Sequence, residues 1–324
     1  MKALLCTRLG GPDDLEIRDL PEPVAASGEA VVRVEAAALN FFDTLIIAGK
    51  YQTKPALPFS PGAEFAGSVE QVAPGVTVVE PGDRVAGCIG YGAARERVAV
   101  AADQLVKLPA GLDANRAAGA IVTYGTSYYA LKDRGELKAG ETLAVLGASG
   151  GVGLAAIELG KIMGARVIAC ASSADKLEFA RQNGADDVVN YAAEDLRDAL
   201  KRVGGERGID VVYDPVGGPH AEAALRSLAW EGRFLVIGFA AGEIPKLPLN
   251  LVLLKSCDVR GVFWGAWTVR EPDAHRANTA RFLAWCAAGK LSAHVHQVYP
   301  LDEAAAALHA LSDRSVMGKV VLRP

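Results

Sequence analysis

A glycine-rich turn near the middle of the chain carries the residue types that bind phosphate. It reads Gly147-Ala-Ser-Gly-Gly-Val-Gly153 and lies between an apolar run over residues 143–146 and a stretch from Gly151 to Met163 with helical spacing of apolar residues. A backbone with few β-carbons turns tightly there, and the free amides at the start of the following helix attract an anion. The turn therefore predicts a dinucleotide site with the pyrophosphate at this helix N-terminus.

The surroundings of the turn decide between a ligand site and a plain strand-to-helix turn. The first position of the usual G-x-G-x-x-G fingerprint is Ala148 here, so the glycine spacing alone is weak evidence. An apolar strand precedes the turn, a helix follows it, and a second strand over residues 166–171 closes a βαβ unit. This context favours the ligand site.

The end of that second strand indicates which nucleotide is bound. Folds that bind NAD carry an acidic residue there for the ribose 2′-hydroxyl, whereas this strand runs into Ser172 and Ser173 with Lys176 close behind. Hydroxyl groups and a cation suit a 2′-phosphate, so the sequence predicts NADPH rather than NADH. The alternative is that Ser173 caps the next helix and Lys176 is solvated, and the two roles are compatible.

The composition of the chain limits the classes of partner that the protein can bind. The chain has 324 residues, of which 51% are hydrophobic, enough for a large core and for two domains. The net charge of −4 gives no basic surface for nucleic acid or anionic membrane. No apolar window approaches the roughly 18 residues of a membrane span, and charges come too early for a secretory signal. We expect a cytoplasmic protein without nucleic-acid or membrane partners.

The cysteine and histidine patterns predict no metal and no disulfide. The five cysteines are an odd number, and none is arranged as C-x-x-C, so we expect reduced, mostly buried thiols. His294 and His296 could share one face of a strand, but no third ligand lies near them in the sequence.

The elements that must position the turn fall into two regions. Up to about residue 100, turn signals separate short strand patterns over residues 2–7, 30–36, 65–72, 83–88 and 95–100, with a short helix over residues 41–48. From about residue 117, helices alternate with strands over residues 166–171, 187–190, 209–213, 233–238 and 259–263. The fold class predicted is α/β, with a doubly wound parallel sheet beside a β-rich region.

Several segments together resemble the quinone oxidoreductase (zeta-crystallin-like) branch of the medium-chain dehydrogenase/reductase superfamily. They are Asn40-Phe-Phe-Asp-Thr44, Pro61-Gly-Ala-Glu-Phe-Ala-Gly67, Pro81-Gly-Asp-Arg-Val85, the glycine turn and Gly318-Lys-Val-Val-Leu322. The resemblance implies a Rossmann domain over residues 121–264, and a GroES-like β-rich catalytic domain over residues 1–120 that the chain rejoins over residues 265–324. It also implies a homodimer, for which the apolar run over residues 247–254 and the strand over residues 259–263 are candidates. The alternative is that both segments belong to the core.

The resemblance also implies chemistry without zinc. Zinc-dependent relatives carry a G-H-E segment and an upstream cysteine as ligands, whereas this chain has Gly62-Ala63-Glu64 and no cysteine in residues 40–44. Without a Lewis acid, oxidation of an alcohol is disfavoured. Reduction of an acceptor that is already electrophilic needs no metal.

Site residues follow from the resemblance position by position. Asn40, near the nicotinamide, and Tyr51, in the substrate cleft, are the implied catalytic residues. Leu45 replaces a tyrosine of many relatives, which removes a polar group from the cleft. The implied cofactor-binding residues are Asn40, Thr126, Gly150, Gly151, Val152, Ser172, Lys176, Tyr191, Gly238, Phe239, Phe263, Trp264, Gly265, Arg314 and Lys319, to which the strand-end argument adds Ser173.

Three functions are consistent with these residues. The first is an NADPH-dependent quinone oxidoreductase, in which the cofactor carries the hydride and the protein orients it. The second is a 2-alkenal or enoyl-thioester reductase, where an enolate forms and Tyr51 is the candidate acid. The third is a non-catalytic, crystallin-like protein that binds NADPH.

Overall fold

The computed structural model describes residues 1–324, which form two compact units. Unit 1 consists of Met1–Val122 and Thr268–Pro324, and unit 2 of Thr123–Trp267. The boundaries predicted after residues 120 and 264 lie two and three residues before these. No helix has the length and apolarity that crossing a membrane requires.

The strands are numbered in chain order. They are β1 Lys2–Cys6, β2 Leu15–Asp19, β3 Glu29–Leu39, β4 Glu64–Val72, β5 Arg84–Cys88, β6 Arg97–Ala101, β7 Val106–Lys107, β8 Thr142–Leu146, β9 Arg166–Ala171, β10 Asp187–Asn190, β11 Ile209–Asp214, β12 Leu228–Val236, β13 Asp258–Gly261, β14 Val295–Pro300 and β15 Lys319–Arg323.

The helices lie between them in both units. They are α1 Phe41–Ile47, α2 Ala114–Tyr128, α3 Gly151–Ile162, α4 Ala174–Gln182, α5 Leu196–Gly204, α6 His220–Ser227, α7 Leu249–Lys255, α8 Trp264–Arg270, α9 Pro272–Ala287 and α10 Ala304–Ser312. A π-helical segment, Tyr129–Arg134, follows α2 directly.

Unit 2 is built on a parallel sheet of six strands in the order β10-β9-β8-β11-β12-β13. The central strands β8 and β11 are buried along their whole length, as expected for parallel strands that have helices on both faces. The strand order runs outward from β8 in both directions, so the carboxyl ends of β8 and β11 form the point at which such sheets bind ligands. The doubly wound sheet predicted from the sequence is confirmed.

Unit 1 is built on a seven-stranded sheet in the order β14-β15-β3-β4-β5-β7, with β6 paired to β3. Strand β3 is antiparallel to both β4 and β15, so its end at Leu39 lies beside the starts of β4 and β15. Gly67 allows β3 and β4 to approach closely, because a β-carbon there would lie 1.9 Å from the carbonyl oxygen of Arg33. This pairing brings residues from three distant parts of the chain together at Asn40.

One strand was not among the sequence-based expectations, and one apolar run belongs only partly to the core. Strand β2 is exposed along nearly its whole length and lacks the alternation of buried apolar residues that predicts a strand. The apolar run before β13 forms α7, and it is not core throughout: Leu251 is buried, whereas Leu249, Leu253 and Leu254 are exposed.

Candidate active site

The start of α1 holds Asn40 in place. Strand β3 ends at Leu39, and the backbone amide of Asn40 donates to Asp43 Oδ2 at 2.7 Å, which caps the helix. Asp43 Oδ1 accepts from the backbone amide of Gly62 at 3.0 Å. The fully buried Asp43 therefore joins the start of α1 to the chain segment that leads into β4.

A buried ammonium group lies beside Asn40. Lys319 Nζ donates to the carbonyl oxygen of Leu39 at 2.7 Å, to Asn40 Oδ1 at 2.6 Å and to Glu64 Oε1 at 2.7 Å. Asn40 Nδ2 donates to the same Glu64 oxygen at 2.9 Å. Because an ammonium has three protons, these bonds occupy all of them. The role of Lys319 as a cofactor contact stays a prediction, and its observed partners favour a positioning role.

Glu64 is the counter-charge of Lys319 and is fully buried. Its second oxygen, Oε2, accepts from the backbone amide of Val122 in α2 at 2.6 Å. Both oxygens of the carboxylate are thus hydrogen-bonded, as a buried charge requires.

The residues around Glu64 do not fit a zinc ion. Ala63 offers no ligand atom, and the ammonium of Lys319 already lies against the carboxylate of Glu64. Nowhere in the chain do three or more histidine, cysteine or acidic side chains form a group able to hold a metal. We therefore derive no chemical step through a metal.

Tyr51 lies near Asp43, and Cys88 lies beside Glu64. The ring of Tyr51 stacks on Phe42 with centroids 5.4 Å apart, and burial, together with the negative charge of Asp43, raises the pKa of the phenol. Cys88 in β5 is paired with Glu64 in β4, and burial raises the pKa of its thiol to about 12. Both groups stay protonated at neutral pH. Sequence reasoning missed Cys88 because only the strand register places it there.

In unit 2, the glycine turn has the form that the sequence predicts. Helix α3 begins at Gly151, and its N-cap Gly150 provides no side chain to bond the first amides. A β-carbon at Gly153 would lie 2.3 Å from the carbonyl oxygen of Gly147, so only glycine allows this close approach. The uncapped amides and the helix dipole fit a pyrophosphate.

The predicted 2′-phosphate residues gather at the carboxyl ends of β9 and β10. Ser173 caps α4 by accepting from the backbone amide of Lys176, and Ser172 precedes it on the surface. The backbone amide of Tyr191 donates to Ala171 at the end of β9. The Tyr191 ring also contacts the ring of His220, with centroids 4.4 Å apart. No local pattern pointed to His220, because α6 reaches this edge only through the strand order.

Other side chains hold the turns around the glycine site. Ser127 Oγ donates to the carbonyl oxygen of Val152 at 2.9 Å and lies 2.8 Å from the hydroxyl of the buried Tyr213. At the end of β11, Asp214 Oδ1 accepts from the backbone amides of Val216 and Gly217 at 2.8 and 2.9 Å. Burial raises the pKa of the Asp214 carboxyl, although these two hydrogen bonds lower it.

The remaining predicted cofactor residues are distributed over both units. The indole of Trp264 is buried against Gly125, where a β-carbon would lie 2.6 Å from the ring. Phe239 and Phe263 are exposed. Arg314 follows α10 in unit 1 with a φ of +56°, whereas Thr126, Gly238 and Gly265 belong to unit 2. Their contacts with a cofactor stay predictions.

Comparison with known proteins agrees with this arrangement. Residues 26–110 match the alcohol dehydrogenase GroES-like domain, and residues 151–280 match the zinc-binding dehydrogenase family. The chain is 38% identical to quinone oxidoreductase-like protein 2 of Bos taurus, over 99% of this chain and 92% of that protein. It is 32% identical to the quinone oxidoreductase of Homo sapiens, over 99% of this chain and 97% of that protein. The crystal structure of the Escherichia coli quinone oxidoreductase complexed with NADPH has a TM-score of 0.94 and 31% identity, with 100% of both chains covered.

The buried carboxyl of Asp43 yields a prediction about pH. Burial raises its pKa to about 7 from the usual 3.8, although the amides of Asn40 and Gly62 and the charge of Lys319 oppose this and the charge of Glu64 adds to it. The folded state then holds a proton that the unfolded state releases. The stability from that proton is present below about pH 4 and is lost as the pH rises through about 7.

We expect the ¹³C carboxyl signal of Asp43, assigned with Asp43→Asn, to titrate near pH 7. Urea unfolding of the wild type between pH 4.5 and 8 should show the matching decrease in free energy, and Asp43→Asn should lack it. A carboxyl signal that titrates near pH 4 would contradict the prediction.

Proposed function

The chain belongs to the quinone oxidoreductase branch of the medium-chain dehydrogenase/reductase family, and on that premise we propose that it is an NADPH-dependent oxidoreductase. Its acceptor is a quinone or a similar electrophile, and the reduction proceeds without a metal ion. The observation that carries the proposal is the uncapped start of α3 behind the glycine turn, with Gly153 packed against Gly147. Relatives of the same fold over the whole chain, one of them an NADPH complex, support it.

The cofactor supplies the hydride when it is bound. In this proposal the amides of Gly151 and Val152 bind the pyrophosphate, and Ser172, Ser173 and Lys176 bind the 2′-phosphate. Ser127 holds the carbonyl of Val152 and so maintains the first turn of α3. Asn40 and Tyr51 bind and orient the acceptor.

The residues around Glu64 indicate which class of acceptor the protein reduces. With an ammonium against the carboxylate and Ala63 beside it, no Lewis acid assists the reaction, so the acceptor must be electrophilic by itself. A quinone meets this condition, because the oxyanion formed by its reduction takes a proton from water.

Reduction of an enone is the second candidate, and the phenol of Tyr51 is the observation that favours it. Tyr51 stays protonated at neutral pH and is partly buried beside Phe42, as a donor to an enolate would be. A high pKa makes the phenol a weak acid, which is why the quinone is the preferred acceptor.

The cofactor preference is tested by fluorescence titration with NADPH and NADH. We expect wild-type protein to bind NADPH more tightly. Lys176→Ala should weaken NADPH binding roughly tenfold and leave NADH binding unchanged, because only NADPH has the 2′-phosphate. Arg181→Ala, in the last turn of the same helix, is the control and should bind both as the wild type does. NADH binding as tight as NADPH binding would reject the preference.

The acceptor is tested with a panel of quinones and enones, read as oxidation of NADPH. We expect Tyr51→Phe to keep quinone turnover within about twofold and to lose enone turnover by roughly 100-fold, because only an enolate needs the positioned acid. Tyr91→Phe, a partly exposed tyrosine of the same unit, is the control. NADPH binding without turnover of any acceptor would favour the non-catalytic alternative.

We also propose that two copies of the chain pair along the edge strand β13. Its outer edge has no partner in the sheet, Val259 is 40% exposed, and Leu253 in the preceding helix is 79% exposed. An apolar edge of this kind is a template for a second copy. We expect a dimer in sedimentation velocity, and mostly monomer for Leu253→Asp. Val24→Asp, at an exposed apolar position of unit 1, should leave the dimer intact. A monomeric wild type would reject the pairing.

A further inference from the structure

Asn40, Glu64 and Lys319 form a buried polar group, here called the Lys319 cluster, of which the proposed function uses only Asn40 to bind a ligand. We propose that Lys319 and Glu64 are positioning residues that fix the side-chain amide of Asn40 in one of its two orientations. The inference rests on the proposed function, in which Asn40 contacts the cofactor or acceptor. It adds two residues, neither of which touches the reacting atoms, on which the rate of that reaction depends.

The chemistry of the partners determines the orientation of the amide. The ammonium of Lys319 can only donate, so it requires the oxygen of Asn40, which lies 2.6 Å away. The ionised carboxylate of Glu64 can only accept, so it requires the amide nitrogen, 2.9 Å away. Rotation of the amide by 180° would place a donor against the ammonium and an oxygen against the carboxylate. Both contacts would become repulsive, and burial would make them costly.

The cluster is itself anchored on rigid structure. Lys319 is the first residue of β15 and also donates to the carbonyl oxygen of Leu39 at the end of β3. Glu64 is the first residue of β4 and binds the backbone amide of Val122 in α2. The positions of both charges are therefore set by the sheet and by one helix.

Spare hydrogen-bonding capacity shows which member of the cluster can meet a ligand. All three residues are buried. The three ammonium protons of Lys319 are all used, and both oxygens of Glu64 accept bonds. Two Asn40 bonds lie inside the cluster, one from the nitrogen and one to the oxygen. The amide retains one N–H and one lone pair for a ligand. Because the orientation is fixed, the ligand meets the same donor and the same acceptor in every molecule.

A purely structural role is the competing explanation, and energetics separate the two. A buried ion pair is poor evidence of stabilisation, because apolar residues of similar volume often replace it at no cost in stability. They cannot hold an amide in one orientation. Loss of both charges should therefore reduce the rate of the reaction whatever its effect on stability.

The decisive variant removes both charges together, because Lys319→Met alone would leave Glu64 buried and unpaired. We expect Glu64→Gln with Lys319→Met to lower kcat roughly tenfold or more, while the Kd for NADPH stays within about threefold. In an Asn40→Ala background the same pair should cause no further loss of kcat, since the amide it positions is already gone. If the pair fails to fold, Glu64→Met with Lys319→Met provides the same test with apolar side chains.

The matched control is a second, largely buried ion pair. Arg233 Nη2 and Glu141 Oε2 in unit 2 lie 2.5 Å apart, with side chains 13% and 11% exposed. Glu141→Gln with Arg233→Met should leave kcat within about twofold of the wild type, even where urea unfolding shows a loss of stability. An unchanged kcat in the Glu64/Lys319 variant would overturn the inference. It would also be overturned if the two substitutions lowered kcat in the Asn40→Ala background by the same factor as in the wild type.

A readout without turnover separates this inference from the proposed function. The side-chain amide signals of Asn40, assigned by their absence in Asn40→Ala, should form one sharp pair in the wild-type ¹⁵N NMR spectrum. In the Glu64/Lys319 variant we expect them to broaden or double as the amide samples both orientations. A wild type without turnover but with these spectra would reject the function and leave the positioning role standing. Identical spectra in both proteins would reject the positioning role.

Discussion

The hydrogen bonds of the buried Lys319 ammonium, which lies between a strand end and a carboxylate, hold the candidate site in unit 1 together. They join the end of β3, the start of β4 and the start of β15, which are far apart in the sequence. A charge at this depth is tolerated only because three acceptors surround it. The same bonds set the position and orientation of Asn40, so the packing of the sheet and the geometry of the site are one arrangement.

Unit 2 depends on a constraint of a different kind, the close approach of backbone to backbone at the glycine turn. Gly153 lies so near the carbonyl of Gly147 that a methyl group would separate the strand from the helix. Ser127 and Asp214 reinforce this turn and its neighbour at the carboxyl edge of the sheet. In unit 2, the backbone amides at the start of α3 are suited to an anion. In unit 1, the charges of Glu64 and Lys319 neutralise each other.

Two readings of the sequence gained a physical explanation from the structure. Ala63 stands where zinc-dependent relatives have a ligand, and the structure places an ammonium on the adjacent carboxylate, which is incompatible with a cation there. Ser173 was open to two interpretations, a helix cap and a phosphate contact. Its hydroxyl caps α4, and it lies next to Ser172 and near Lys176 at the strand end, so the phosphate contact stays a prediction that the cap allows.

Features with a local cause could be predicted from the amino-acid sequence alone. The parallel sheet, the glycine turn and the membership of the family follow from runs of apolar residues and short motifs, whose physical cause lies within a few residues. Features that depend on pairing between distant segments became visible only in the fold. The register of β4 against β5 brings Cys88 to Glu64, and the position of β15 beside β3 brings Lys319 to Asn40. No local pattern contains that information, because strand order and burial are properties of the whole sheet. For the same reason, the motif could predict Lys319 as a site residue, but it could not predict the partners of its ammonium.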